Sequence, residues 1–144
     1  MTSPRASESQ ERATRLAGEM YERDTASRAL GIVISDVSPG RAVATMTVTA
    51  AMTQGHGTCH GGYLFLLADT AFAFACNTDG PAVAAGADVE FLAPVLEGDV
   101  LVATADERVV RGRSGIFDVT VRRGAEPVLE FRGRSRSVRT LGGV

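Results

Sequence analysis

A single aspartate interrupts the most apolar stretch of this chain. From Gly61 to Cys76 the sequence runs GGYLFLLADTAFAFAC, with Asp69 near its middle. Burying an unpaired carboxylate is costly, so an acid in such a place needs either a polar neighbour or a chemical task. Both readings stay open here. Asp69 could hydrogen-bond a nearby backbone group or lie at a wet interface, or it could act as general base or nucleophile. Directly before this stretch stands His60-Gly61-Gly62. The first turn of a helix presents unsatisfied N–H groups and the positive end of the dipole, and glycine lets an oxygen approach with no Cβ in the way. That arrangement suits the oxyanion formed when a carbonyl is attacked. The plainer alternative is a flexible helix entry, with His60 fixing the entry loop rather than bonding substrate.

Spacing ties the two features together. Gly61 and Asp69 are separated by about 12 Å along a helix axis, too far for both to act on one carbonyl. If both are catalytic, they come most simply from different subunits. Two copies packed antiparallel about a two-fold axis would bring each helix start beside the other copy's Asp69. The expectation is therefore an obligate homodimer with its sites at the interface.

The elements that must position these residues follow from periodicity. No proline, no interior glycine and few β-branched residues make Gly61–Cys76 a helix, yet its apolar residues cover all sides. It must then be buried on all sides, most readily by a curved antiparallel sheet wrapped around it. Ala13, Leu16, Ala17 and Met20 mark an earlier amphipathic helix over residues 11–24, after a polar arm over residues 1–10 expected to be disordered. Strands are predicted over 30–37 and 41–49, around the Ser38-Pro39-Gly40 turn. After Gly80-Pro81 the pattern alternates, as in Val83, Ala85, Ala87, Val89 and Phe91, and again in Phe117, Val119 and Val121. Short loops between these runs favour antiparallel neighbours. The order helix, two strands, apolar helix, four strands makes one α+β domain over residues 11–140, with five to six strands around the central helix.

Composition narrows the function classes. A chain of 144 residues with a net charge of −2 gives no general reason to expect nucleic-acid or membrane-surface binding. Cys59 and Cys76 form no metal-ligand pattern with His56 and His60. Cys59 beside His60 suggests a nucleophile and base, but sequence neighbours in a loop rarely point at one atom, so a reduced packing residue is the simpler reading. The first segment is polar and lacks an apolar signal region, and the longest apolar run falls short of the ~20 residues a bilayer span needs. The expected location is the cytoplasm.

The residues His60-Gly61-Gly62, Leu67-Ala68-Asp69-Thr70-Ala71-Phe72-Ala73 and Cys76-Asn77 strongly resemble the hot-dog-fold thioesterases. Phe91-Leu92-Ala93-Pro94 and Phe131-Arg132-Gly133-Arg134-Ser135 are similar to the phenylacetyl-CoA branch of that family. The resemblance runs from the helix around Met20-Tyr21 to the last strand. It implies acyl-CoA thioester hydrolysis, a homodimer with shared sites that often pairs into a tetramer, and no metal or redox cofactor. It also implies that the Gly61 N–H polarises the thioester carbonyl while Asp69 of the other subunit acts as base or nucleophile. His60 and Gln54 join them as catalytic candidates, with Gly62, Thr70 and Phe72 as substrate-binding ones. Two positions depart from the branch: Gln54 stands where an asparagine often precedes the HGG motif, and Arg23 replaces an asparagine of the first helix.

The phosphates of coenzyme A call for cations. Arg132, Arg134 and Arg136 alternate on one strand face at about 7 Å intervals. Arg111 and Arg113 flank Gly112. Arg113 and Arg134 match the resembling motifs and are the nucleotide-contact candidates, against the alternative of a solvated strand face. Two other functions fit less well. A hydratase or dehydratase on hydroxyacyl thioesters wants a histidine base beside an acid, and no histidine follows the helix, though His60 and Asp69 of different subunits could mimic the pair. A non-catalytic acyl-CoA binding module leaves Asp69 unexplained.

Overall fold

The computed structural model describes residues 3–138. Helix α1 (Pro4–Arg23) opens the chain, with Ser3 Oγ accepting from the Ala6 N–H at 3.1 Å and proline in the first turn. Proline has no N–H to leave unsatisfied there, so Ser3-Pro4 is a helix start. This corrects the expected disorder of the first ten residues: residues 4–10 are helical, and their polarity reflects a helix exposed along this length. Gln10 anchors it, donating to the Val37 carbonyl at 2.8 Å. Residues 1 and 2, and the expected domain end at 140, lie outside the described residues.

A short helix α2 (Thr25–Ala29), which periodicity did not reveal, follows at once, so the first strand begins later than residue 30. The strands are β1 (Val33–Ser38), β2 (Arg41–Thr47), β3 (Ala82–Phe91), β4 (Val100–Arg111), β5 (Ser114–Arg123) and β6 (Glu126–Ser137). They form one six-stranded antiparallel sheet in the order β1-β2-β4-β5-β6-β3. Helix α3 (Gly61–Cys76) is the apolar segment, with the boundaries its sequence suggests. A 3₁₀ turn at Ala50–Met52 leads toward it from β2.

The sheet curls around α3, and its register shows how. Ala42 pairs with Ala105 and Ala44 with Ala103, so β2 and β4 turn small, fully buried side chains toward the helix. Larger residues fill the next strands, where Phe117, Val119 and Val121 of β5 and Leu129 and Phe131 of β6 are buried. Irregularities in register at 35–38, 84–86, 107–109 and 121–122 bend the strands, as bulges do. This is the hot-dog architecture expected from the motif. Strand β3 departs from its simple alternation, because as an edge strand it leaves Val83 and Phe91 about half exposed.

Phe72 belongs to this core. Its ring is 1% exposed, lies 5.8 Å from Phe117 and 5.7 Å from Phe131, and rests over Gly133, where any Cβ would sit 2.6 Å from the ring. Expected as a substrate-binding candidate, Phe72 is placed by the structure in the core between α3 and the sheet, with strands on its outer side. Phe72→Ala is expected to destabilise the fold by about 3–5 kcal/mol in urea denaturation, through the cavity left between helix and sheet. An unchanged midpoint would show that the ring is not packed as described.

Candidate functional site

The start of α3 is held from both sides. The His60 N–H donates to the Met52 carbonyl at 2.7 Å, and the Cys59 N–H to the Val95 carbonyl at 2.7 Å. His60 is the N-cap: its Nδ1 accepts from the Gly62 N–H at 3.0 Å, and its carbonyl accepts from the Tyr63 N–H at 3.0 Å. An accepting Nδ1 implies the neutral ring with its proton on Nε2. The second and third helical N–H groups are thereby used. Among the described residues the Gly61 N–H has no hydrogen-bond partner. It is the first donor of a helix whose dipole points its positive end the same way. The cap uses the Gly62 N–H and leaves that of Gly61, and it ties the His60 ring to the helix entry.

Gln54 has a local task. Its amide nitrogen donates to Thr58 Oγ1 at 2.5 Å, its amide oxygen accepts from the His56 N–H at 2.7 Å, and its backbone N–H reaches the Thr58 carbonyl at 2.8 Å. Both ends of the side chain thus close the 54–58 loop. Neither is extended toward Gly61.

Asp69 lies on the part of α3 that the sheet does not cover. Leu64, Leu67, Ala68, Ala71, Phe72 and Ala75 are buried, whereas Gly62, Phe65, Leu66, Asp69, Ala73 and Cys76 remain half-buried or exposed along one stripe. Burial pushes the Asp69 carboxyl above the ordinary carboxylate range, and the like charge of Asp24 adds to the effect. Asp24 is there because it caps α2, accepting from the Ser27 N–H at 3.0 Å. Ser27 in turn meets Thr70 hydroxyl to hydroxyl at 2.9 Å in the interior. Thr70, expected as a substrate-binding candidate, is placed as a buried bolt between α2 and α3, with 6% of its surface exposed. Nothing in the periodicity signals Asp24, but its spacing to Ser27 is that of an N-cap to the third helical N–H.

The cysteines carry no nucleophile. Burial raises the Cys59 thiol, whose Sγ points at the His60 carbonyl, and pushes Cys76 up to about 11. Both stay protonated at neutral pH. Among the described residues no group of three or more His, Cys, Asp or Glu side chains converges to hold a metal. Nor is any described helix long and apolar enough to cross a membrane.

The two arginines expected to meet a nucleotide lie apart from Gly61. Arg113 follows the β4–β5 turn, donates from Nε to the Ser137 carbonyl at 3.0 Å, and shares a cavity of about 440 Å³ with Cys76, at the other end of α3. Arg134 stands on the outer face of the sheet, paired with Asp88 at 2.9 Å. Arg132 beside it forms a two-pronged pair with Asp118, at 2.7 and 2.9 Å.

A carboxyl whose folded-state pKa is raised binds more protons in the folded state, so stability falls as pH rises from the unfolded pKa through the folded one. Asp69 has a raised value, so its ionised form opposes folding at neutral pH. Asp69→Asn is expected to raise Tm at neutral pH and to change it little below the ordinary carboxylate pKa of about 3.9. A lowered Tm at neutral pH would show that the carboxylate is stabilised in the fold.

Comparison with known proteins agrees with this geometry. The profile of the thioesterase superfamily matches residues 56–130, which span the 54–58 loop's end, α3 and most of the sheet. The acyl-coenzyme A thioesterase PaaI of Escherichia coli K12 is 48% identical over 124 residues, 85% of this chain and 89% of that protein. A solved structure of the E. coli PaaI protein of the phenylacetic acid degradation operon superposes with a TM-score of 0.87 at 46% identity, covering 90% of this chain and 95% of that one. A mutant form of the phenylacetic acid degradation protein PaaI of Thermus thermophilus gives a TM-score of 0.76 at 37% identity, over 78% of this chain and 97% of that one. By motif, fold and likeness alike, the chain belongs to the thioesterase superfamily and is a thioester hydrolase.

Proposed function

We propose that this thioester hydrolase acts on acyl-CoA, with phenylacetyl-CoA or a related short aromatic thioester as its substrate. The observation that carries the reading is the unpartnered Gly61 N–H at the head of a buried helix whose open stripe holds Asp69. The likeness to PaaI proteins supports the aryl-acetyl group. A coenzyme A thioester substrate also fits work in the cytoplasm.

In this reading the thioester carbonyl oxygen accepts from the Gly61 N–H, and the developing oxyanion gains from the helix dipole. Asp69 of a second copy either takes a proton from the attacking water or attacks the carbonyl itself. The tetrahedral intermediate then expels coenzyme A as a thiolate, a good leaving group with a pKa near roughly 8.5, so no dedicated acid is required. Gly62 and His60 hold the donor's geometry, and Gln54 holds the loop before it. Arg113 and Arg134 remain the candidates for the phosphates. No metal or redox group enters the chemistry.

The uncovered stripe of α3 and the open edge of β3 support the homodimer, since a two-fold mate would cover both. Pairing of dimers into a homotetramer is the further expectation from the resemblance.

Thiol release from a panel of acyl-CoAs tests the reaction. Phenylacetyl-type substrates are expected to turn over faster than straight-chain ones, and Asp69→Asn to lose at least ~10² in rate while staying folded. Full turnover by that variant would defeat the assignment. A second measurement tests the shared site. Gly61→Pro removes the donor at a position where helices tolerate proline, and alone is expected to be nearly inactive. Refolding it with equal Asp69→Asn should recover about a quarter of wild-type activity, because each mixed dimer regains one whole site. No recovery in verified mixed dimers would place both residues' roles within one subunit.

A further inference from the structure

The Gly61 N–H has a neighbour that the catalytic reading does not use. A Cβ built on Gly61 would lie 3.1 Å from Cε1 and 3.2 Å from Cζ of Phe91, and it meets no other group as closely. The ring therefore lies directly against the α-carbon of the donor residue. Phe91 is the last residue of β3, paired with Leu129 of β6, and beyond it the chain turns out of the sheet, with the Leu92 N–H donating to the Val128 carbonyl at 2.9 Å. The backbone beneath the ring is thus fixed. In the single chain Phe91 is 52% exposed, so the ring is not sealed into the core. Phe91 and Gly61 together line a cavity of about 360 Å³, with Thr58, Cys59, Leu64 and Leu92.

We propose that Phe91 orients the substrate in the thioester site, its ring forming the wall that directs the carbonyl onto the Gly61 N–H and sets the apolar atoms beside that carbonyl in the cavity. This deepens the thioesterase reading and rests on it. Two physical effects make the wall matter. An apolar face next to the donor excludes water from one side of the oxyanion, so the single N–H meets less competition. A flat surface also restricts the approach of the planar thioester, and a misplacement of about 1 Å at a reacting centre can cost roughly 10²-fold in rate. The missing side chain at residue 61 acquires a second reason: it leaves room for the ring as well as for the substrate oxygen.

The test compares Phe91→Ala, Phe91→Leu, Gly61→Ala and the Gly61→Ala/Phe91→Ala double variant in thiol release from phenylacetyl-CoA, with Tm and oligomeric state recorded for each. Phe91→Ala is expected to lose at least about tenfold in kcat/KM, with kcat affected as well as KM, at unchanged Tm and assembly. Phe91→Leu, which keeps an apolar wall, should recover part of the loss. Gly61→Ala retains its N–H but pushes the ring aside, so its loss and that of Phe91→Ala should not multiply in the double variant. Wild-type kcat/KM in Phe91→Ala would overturn the proposal, as would losses that multiply, or a loss that appears only with a changed oligomer. A wild-type protein inactive on every acyl-CoA would instead remove the underlying reading, and this one with it.

Discussion

The structure depends on covering one helix that is apolar on every side and still carries a carboxylate. An isolated α3 would expose leucines and phenylalanines in all directions, so it cannot exist outside an enclosing sheet. Six antiparallel strands with the smallest side chains on β2 and β4 and the aromatics on β5 and β6 supply that enclosure. Small residues bring two strands close to the helix, and large ones fill the wider gap where the sheet bends away. The enclosure stops at one stripe, and Asp69 lies on it. Had the sheet closed completely, the acid would have been sealed in without a partner, at a cost few folds can carry.

The beginning of the helix treats its polar groups in the same way. A helix start has four N–H groups to satisfy: here the Met52 carbonyl takes that of His60, and the histidine's ring and carbonyl take those of Gly62 and Tyr63. The Gly61 N–H is left over, flanked by a fixed loop on one side and an aromatic ring on the other. A free donor buried in a dry core would be a defect. At the mouth of a cavity it is open to a ligand oxygen, and its rigidity comes from the hydrogen bonds of its neighbours rather than from its own.

Much of this was legible from residue types. The boundaries of α3 followed from its lack of breakers, and the antiparallel sheet from alternation and short loops. What escaped was decided by contacts between elements. Residues 4–10 look disordered because nothing apolar marks them, yet Ser3-Pro4 is a start signal that composition concealed. Thr70 and Phe72 flank the active stripe in sequence but lie on other faces of the helix, one bolted to Ser27 and the other stacked on β5 and β6. Helical position, more than closeness in sequence, decides which neighbours of a catalytic residue can touch a substrate. Gln54 illustrates the same limit, since an amide's partners depend on the shape of its loop.

Asp24 connects stability to chemistry. As the cap of α2 it helps to dock that short helix, and the Ser27–Thr70 hydrogen bond completes the docking one residue from Asp69. The same placement brings a second negative charge near Asp69 and adds to the rise in its pKa. A base or nucleophile gains reactivity as its pKa rises toward the working pH, provided it stays ionised. The groups that hold α2 in place therefore also tune the acid, and they do so by giving up some folding stability. A fold selected for stability alone would have placed a neutral residue at one of these positions, so the pairing of two carboxylates across α2 and α3 is a cost in stability that the thioester site proposed above would turn into reactivity.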